Sequence, residues 1–256
     1  MSGDERAIEE VGGLPRRQFV KLSGVAGAAA LLPGLPLADK SGAAAAPCPL
    51  PSPLCGDPTD KGDRFYLWLV VRVITKQQPP PPPVSPLQVT PNYVIVHGAP
   101  ETNHNFLLVP TCRIAGIECP FIWGPTAYPR YWSDAWEQAQ PGGAAPVKYA
   151  AIGLGINSAS VRQQDQLHIH LAGILSGVPD QLSKLKKAGK ITSDRTKWPV
   201  QVVPVTGRDP HTKKAVKHYY RALIFRDKSE LKKNLFRLLG AHVPEAKKTC
   251  RIKCWS

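Results

Sequence analysis

The sequence predicts an α+β fold in which most neighbouring strands run antiparallel. Two pairs of apolar runs carry that reading. Tyr93 to His97 and Phe106 to Pro110 flank the loop Gly98-Ala-Pro-Glu-Thr-Asn103, which suits an antiparallel hairpin. Ala150 to Asn157 and Gln166 to Ile174 are joined by only eight polar residues, Ser158 to Asp165. Helical patterns stand apart from these runs instead of alternating with them.

Each element follows in order from its residues. Residues 47–63 are rich in Pro and Gly and read as irregular. Arg64 to Thr75 is dense in β-branched and aromatic side chains, Phe65-Tyr-Leu-Trp-Leu-Val-Val-Arg-Val-Ile74, and reads as a strand. Five consecutive prolines, Pro79 to Pro83, stop it, and the excursion over 76–91 reads as a stiff polyproline spacer. After the hairpin comes a turn containing Gly116. Tyr131 to Ala139 is a short helix, with Trp132 and Trp136 four apart on one face and Pro141-Gly-Gly143 ending it. Beyond the second strand pair, Asp180 to Ala188 reads as a basic helix and Lys217 to Phe225 as a strand. Ser229 to Leu239 reads as a terminal helix stopped by Gly240. No internal repeat is present.

The N-terminus carries an address. Pro15-Arg-Arg-Gln-Phe-Val-Lys21 precedes a mild apolar stretch, Leu22 to Ala38, and the small-residue run Ala43 to Ala46. Paired arginines, a nearby Phe and Lys, and an apolar region diluted by Gly and Ala resemble a twin-arginine export signal. A membrane anchor is the competing reading. Leu22 to Leu37 falls short of the roughly 20 apolar residues of a span, and it holds three glycine or proline breaks beyond Gly24 and Gly27. Residues 1–46 are thus expected to be the signal and 47–256 one exported domain, on the periplasmic or extracytoplasmic side of the membrane.

Acidic and basic residues balance within the first 46 positions, so the whole formal charge of +14 belongs to the exported part. Such a domain is drawn to anionic partners: lipid headgroups, nucleotides or nucleic acid. All six cysteines, Cys48, Cys55, Cys112, Cys119, Cys250 and Cys254, follow the signal. An even number in an oxidising compartment favours disulfides, and sequence order suggests local pairs among the fifteen possible connectivities. Those pairs are Cys48 with Cys55, Cys112 with Cys119 and Cys250 with Cys254. Zinc is disfavoured by the lack of paired Cys-x2-Cys spacing.

The chemistry is concentrated in Asn157 to Leu171, NSASVRQQDQLHIHL. Side chains alternate along a strand, so Gln166, His168 and His170 share one surface while Leu167, Ile169 and Leu171 enter a core. An imidazole held this way can attack phosphorus, and its neighbours can bind the phosphate oxygens or fix its tautomer. A metal site at His168 and His170 would have only Asp165 nearby as a third ligand.

Gln166-Leu-His-Ile-His-Leu-Ala172 resembles the histidine-triad motif. Four pieces more closely resemble the bacterial CDP-diacylglycerol pyrophosphatases: Cys48 to Cys55; Phe106-Leu-Leu-Val-Pro-Thr-Cys-Arg-Ile-Ala-Gly-Ile-Glu-Cys-Pro120; Ile152-Gly-Leu-Gly-Ile-Asn-Ser158 with Gln164 to His170; and Asn234 to Leu239. The chain departs from the triad pattern at Asn105, where a histidine is usual, and at Gln163, in a loop without glycine.

The resemblance implies a histidine-triad-like antiparallel sheet of about five strands packed with helices. It also implies hydrolysis of CDP-diacylglycerol to CMP and phosphatidate through a nucleotidyl-histidine, with no metal or cofactor. With Gln166 in the first triad position, His168 is the nucleophile and His170 its catalytic neighbour. A register beginning at His168 would put alanine in the third position, and alanine cannot replace a hydrogen-bonding histidine. Asn157, Ser158, Arg162, Gln164, Asp165 and Gln166 are the expected substrate-binding residues, with Asp165 alternatively orienting a histidine or capping the loop. His97, His211 and His242 read as surface groups, whereas His218 resembles a family position near the pocket.

The expected partners are the liponucleotide and an anionic membrane surface, met by Lys184, Lys186, Lys187 and Lys190 and by Lys213, Lys214 and Lys217. Nucleic acid is not expected, because no stripe of interleaved aromatic and basic residues appears. Two other classes remain open: a related exported nucleotide hydrolase or nucleotidyltransferase acting on soluble nucleotides, and a non-catalytic basic binding protein.

Overall fold

The computed structural model describes residues 45–76, 85–98, 105–157, 159, 162–209, 212 and 214–241. Nearly all of the expected export signal, the proline run, His104, Ser158, His211, Lys213, His242, Cys250 and Cys254 lie outside the described residues.

The elements are α1 (Tyr66–Ile74), β1 (Gln88–Val89), β2 (Tyr93–His97), β3 (Phe106–Pro110), α2 (Tyr131–Ala139), β4 (Ile152–Gly155), β5 (Ile169–Gly173), α3 (Val178–Lys187), β6 (Val202–Arg208), β7 (Ala215–Arg221) and a terminal helix α4 over 235–241. Strands β1 to β5 form one five-stranded sheet in the order β1-β2-β3-β5-β4. Every pairing in it is antiparallel, so the expected α+β class holds. In the expected hairpin, Tyr93 opposes Pro110 and His97 opposes Phe106. Strands β4 and β5 form the second expected pair.

The centre of the sheet is covered on both faces, which is why β2 and β3 read as unbroken apolar runs without alternation. On one face Tyr93, Ile95, Phe106, Leu108, Ile169 and Leu171 join the core built with α2, where Ala135 and Ala139 are fully buried. On the other, Val94, Val96, Leu107 and Val109 meet Leu67, Trp68 and Val71 of α1.

Helix α1 corrects the strand expected over 64–75. Leu67, Trp68 and Val71 recur at helical spacing on the buried side, while Leu69 is 43% exposed. The β-branched composition is overridden by the need to cover an apolar sheet face, a long-range demand that local propensity does not register. The helix also starts on a side-chain tether, since the Leu67 N–H donates to Gln164 Oε1 at 2.9 Å.

Helices α2 and α3 form where expected. Strands β6 and β7 make a separate two-stranded antiparallel sheet, with β7 beginning and ending earlier than its residues suggested. Strand β6 was not anticipated, because Pro204 in its middle demotes such a run in any sequence reading. Gln181 of α3 borders it, donating to the Thr206 carbonyl at 2.9 Å and accepting from the Thr206 N–H at 2.8 Å. The expected terminal helix is two pieces: a 3-10 turn at Lys228–Lys232 and, after extended Lys233, α4. Gly240 lies inside α4 and does not stop it. A Cβ there would fall 2.6 Å from Trp123 Cδ2, so this glycine serves close approach rather than termination.

The disulfides also differ from the local pairs expected. Cys48 bonds Cys112 and Cys55 bonds Cys119, each across a sequence separation of 64. The equal seven-residue spacing in 48–55 and 112–119 is therefore a register between two neighbouring segments, not the closure of small rings. The Ala115 N–H donates to the Cys55 carbonyl at 2.9 Å between the two bridges. Among the described residues no helix is long and apolar enough to cross a membrane.

Two measurements follow from these bridges. Peptide mapping under non-reducing conditions is expected to recover Cys48 with Cys112 and Cys55 with Cys119; recovery of Cys48 with Cys55 would contradict the structure. Replacing both members of one bridge by alanine is expected to lower the free energy of unfolding in urea by up to about 3 kcal/mol, the chain-entropy value for the short ring that one bridge closes against the other.

Candidate active site

Strand β5 sits between β3 and β4, and its pairing decides what surrounds the histidines. His170 opposes Leu107 on one side and Gly155 on the other, and Ala172 opposes Gly153, so these residues share a sheet face. Helix α1 covers the β2–β3 half of that face. Over the β4–β5 half stand glycines and an alanine, and a Cβ on Gly155 would meet nothing within 4 Å. His170 thus stands where the helix-covered half gives way to an open one.

His168 is 8% exposed and its ring Nδ1 lies 2.6 Å from the Gln166 carbonyl oxygen. A carbonyl only accepts, so Nδ1 carries the proton and Nε2 keeps a lone pair. Burial pushes the His168 pKa down, opposed by its bond to Gln166 and reinforced by the nearby Arg162 cation. The His170 ring stands edge-on, 4.9 Å away between centroids. Its Nε2 lies 3.3 Å from Asn157 Nδ2, whose amide N–H donates to it, and its buried Nδ1 has no hydrogen-bond partner among the described residues. Burial and the neighbouring His168 push the His170 pKa to about 3. Both imidazoles are therefore neutral over the physiological range.

The polar residues before them have a different duty from the one expected. Gln166 is fully buried, and its amide is consumed by the protein. Nε2 donates to the carbonyls of Pro110 (3.1 Å) and Cys112 (2.9 Å), while Oε1 accepts from the Ile114 N–H and Arg113 Nη1, both at 3.3 Å. It precedes β5, which begins at Ile169, and pins the segment after β3 instead of facing a ligand. Gln164 likewise spans Leu67 N and the Asp63 carbonyl.

Arg162, expected to wrap phosphate, is 8% exposed in its side chain and bonds both oxygens of Glu118 together with Asp165 Oδ1. Asp165 orients neither histidine. It accepts from Arg64 at 2.7 and 3.0 Å and from Arg162 at 2.8 Å; burial would raise its carboxyl pKa, but these bonds outweigh it and hold the value low. These three residues are drawn into the protein because each has a counter-charge or an unsatisfied helix end to serve.

Four residues of this network were not anticipated: Asp60, Arg64, Arg113 and Glu118. Arg113 is 4% exposed, and it binds Asp60 Oδ2 at 2.7 Å, the Asp165 carbonyl and Gln166 Oε1, with its guanidinium 5.3 Å from the Phe65 ring centroid. Gly56, at φ 86°, lies so close to that guanidinium that no Cβ fits. The available signal was the pair of charges, Arg113 and Glu118, enclosed between two cysteines.

The other candidates lie apart. His97 ends β2 with its ring 5.2 Å from Phe106, and His218 is in β7, outside the sheet that carries His170. Asn105 backs against Gly98 at the mouth of the β2–β3 loop. Among the described residues, no group of three or more His, Cys, Asp or Glu side chains is placed to hold a metal ion.

Fold and site together define an α+β protein, stapled by disulfides, that holds two neutral histidines at the start of one strand of an antiparallel sheet, His170 within it and His168 just before it. Residues 62–254 match the family model described as CDP-diacylglycerol pyrophosphatase, and the chain belongs to that family. Residues 13–33 match the TAT (twin-arginine translocation) pathway signal sequence, so the chain carries an export signal; the disulfides fit a periplasmic location. It is similar to a CDP-diacylglycerol pyrophosphatase of Yersinia pestis, at 45% identity over 71 residues, which is 26% of this chain and 27% of that relative. The aligned stretch thus spans about a quarter of the relative's length.

Gln166→Ala strips partners from two carbonyls and an N–H in the interior and is expected to cost about 2 to 3 kcal/mol in urea unfolding. An unchanged midpoint would show the amide to be dispensable. The histidines add a pH signature. An unfolded histidine titrates near pH 6.5. The native rings stay neutral below that, so the unfolded chain binds more protons. For His170 stability is then expected to fall as pH drops from about 6.5 toward 4, by up to about 1.4 kcal/mol per pH unit, and the lowered His168 adds to the decline below 6.5. His170→Asn should make the decline shallower; an identical slope would contradict the burial argument.

Proposed function

We propose that this chain hydrolyses the pyrophosphate bond of CDP-diacylglycerol to CMP and phosphatidate, with His168 Nε2 as nucleophile. The carrying observation is the Nδ1 contact to the Gln166 carbonyl, which leaves the lone pair on the other ring nitrogen. Nε2 attacks the phosphorus bearing cytidine, and the bond to the bridging oxygen breaks. Phosphatidate departs with the electron pair as a stable anion. The ring is then a cytidylyl-imidazole carrying positive charge, and the carbonyl on Nδ1–H stabilises that charge as it develops. Water attacks the same phosphorus, its proton passes to solvent, and CMP leaves with Nε2 restored.

His170 assists as a hydrogen-bond donor. Asn157 occupies its Nε2, so the proton sits on Nδ1, and a phosphate oxygen supplies the partner this atom lacks within the protein. Asn157 holds the ring and contacts the nucleotide. Arg162 reaches the pyrophosphate only by exchanging Glu118 for it; otherwise it acts through the charge it places near His168. The family match and the export signal support a lipid-linked substrate outside the cytoplasm.

The test is hydrolysis of CDP-diacylglycerol labelled in the cytidine phosphate, quenched early and mapped for label on imidazole. His168→Ala is expected to lower kcat/KM by at least about a thousandfold, and His170→Asn by about a hundredfold. Chelator is expected to leave the rate unchanged. Normal turnover by His168→Ala would refute the assignment, and cleavage confined to soluble dinucleotides would establish the other substrate class.

A further inference from the structure

Positive charge is concentrated in one stretch of the chain. Residues 176–233 hold fifteen lysines and arginines against five acidic residues, a net +10 of the +14 in the whole sequence. This stretch contains α3 and the β6–β7 sheet. No residue of α3 is buried, and its Lys184, Lys186 and Lys187 are exposed, with Lys190 just beyond.

The β6–β7 register sorts the sheet into two faces. Val203 and Val205 are buried on one. Val202, Pro204 and Tyr219 share the other, together with Lys217 opposite Thr206 and Arg208 opposite Ala215. On that outer face Val202 is 43% and Tyr219 55% exposed, and Val200 before the strand is 52% exposed. An apolar and aromatic centre is therefore left in water, bordered by cations.

We infer that the outer face of β6–β7, with the lysines of α3, is the surface on which this protein docks onto an anionic lipid bilayer. The inference rests on the functional reading above, because a liponucleotide is delivered from a membrane. Three observations select the bilayer as occupant. The apolar side chains are few and shallow, enough to enter a headgroup layer but too few for the core of a stable protein interface. Cations border them on the same face and crowd the helix tied to its edge, complementing anionic headgroups. A tyrosine at the centre offers the apolar body and polar tip that suit a membrane–water boundary.

Partition of the full chain onto vesicles of phosphatidylcholine, with and without phosphatidylglycerol, tests this. Hydrogen exchange of residues 200–221 is followed in the same mixtures. The wild-type chain is expected to bind the phosphatidylglycerol vesicles better, with amides of 200–208 and 215–221 slowed on binding. Val202→Ser with Tyr219→Ser, and separately Arg208→Glu with Lys217→Glu, are each expected to weaken partition tenfold or more. Release of CMP from a monodisperse short-chain CDP-diacylglycerol should stay unchanged in both double variants.

Variants that partition as wild type would overturn the inference. So would protection of these amides without vesicles in a sedimenting dimer, which would give the face to a second copy of the chain. Vesicle binding without any CMP release would support the surface and refute the functional reading instead.

Discussion

The arrangement of both histidines depends on one buried guanidinium. Arg113 joins four parts of the chain that are distant in sequence: Asp60 of the N-terminal segment, Phe65 at the entry to α1, the Asp165 carbonyl, and the Gln166 amide before β5. A cation taken this far out of water is tolerated only where its donors are matched by acceptors, and removing one partner from such a pair typically costs about 3 to 5 kcal/mol. The disulfides at Cys112 and Cys119 hold Arg113 in place from both sides, and Gly56 leaves the space it fills. The Gln166 amide then fixes the turn into β5, and the Gln166 carbonyl meets the His168 ring. Scaffold and His168 are thus linked through a single residue, whose side chain holds the segment after β3 and whose backbone carbonyl meets the imidazole.

Burial gives the histidines their chemical character. An imidazole in water is partly protonated near neutral pH and divides its proton between two nitrogens. Here desolvation keeps both rings neutral, and fixed partners select the tautomer: a carbonyl for His168, an amide for His170. Helix α1 shields the β2–β3 half of the sheet face, while the space over Gly155, beside His170, is open. Arg162 adds positive charge near the rings while two carboxylates hold its own donors.

What the sequence disclosed follows the range of each interaction. The hairpin of β2 and β3, the pair β4 and β5 and helix α2 depend on neighbours close in sequence, and they were legible. So was the alternation that buries Leu167, Ile169 and Leu171, although the strand begins at Ile169 and takes in His170 alone, with His168 in the segment just before it. Helix α1 was misread because its partner is a sheet face built later in the chain, and Val70, Val71 and Val73 carry strand propensity into a helix. The bridges were misread because register between two distant segments leaves no trace beyond matching spacing. Gln166, Arg162, Gln164 and Asp165 were correctly placed beside the histidines but assigned to a ligand. The charged groups that hold them, Arg64, Arg113 and Glu118, lie in other segments, and one sequence does not reveal which groups meet.

The central claim concerns the proton on one ring. Nitrogen NMR of the histidine-labelled protein, with His168 assigned by comparison with a His168→Gln variant, reads it directly. The expected result is a His168 ring that is neutral at pH 7, protonated at Nδ1 and bare at Nε2, with a titration midpoint below that of an unperturbed histidine. A proton found on Nε2, or a ring that titrates near the unperturbed histidine value, would contradict it.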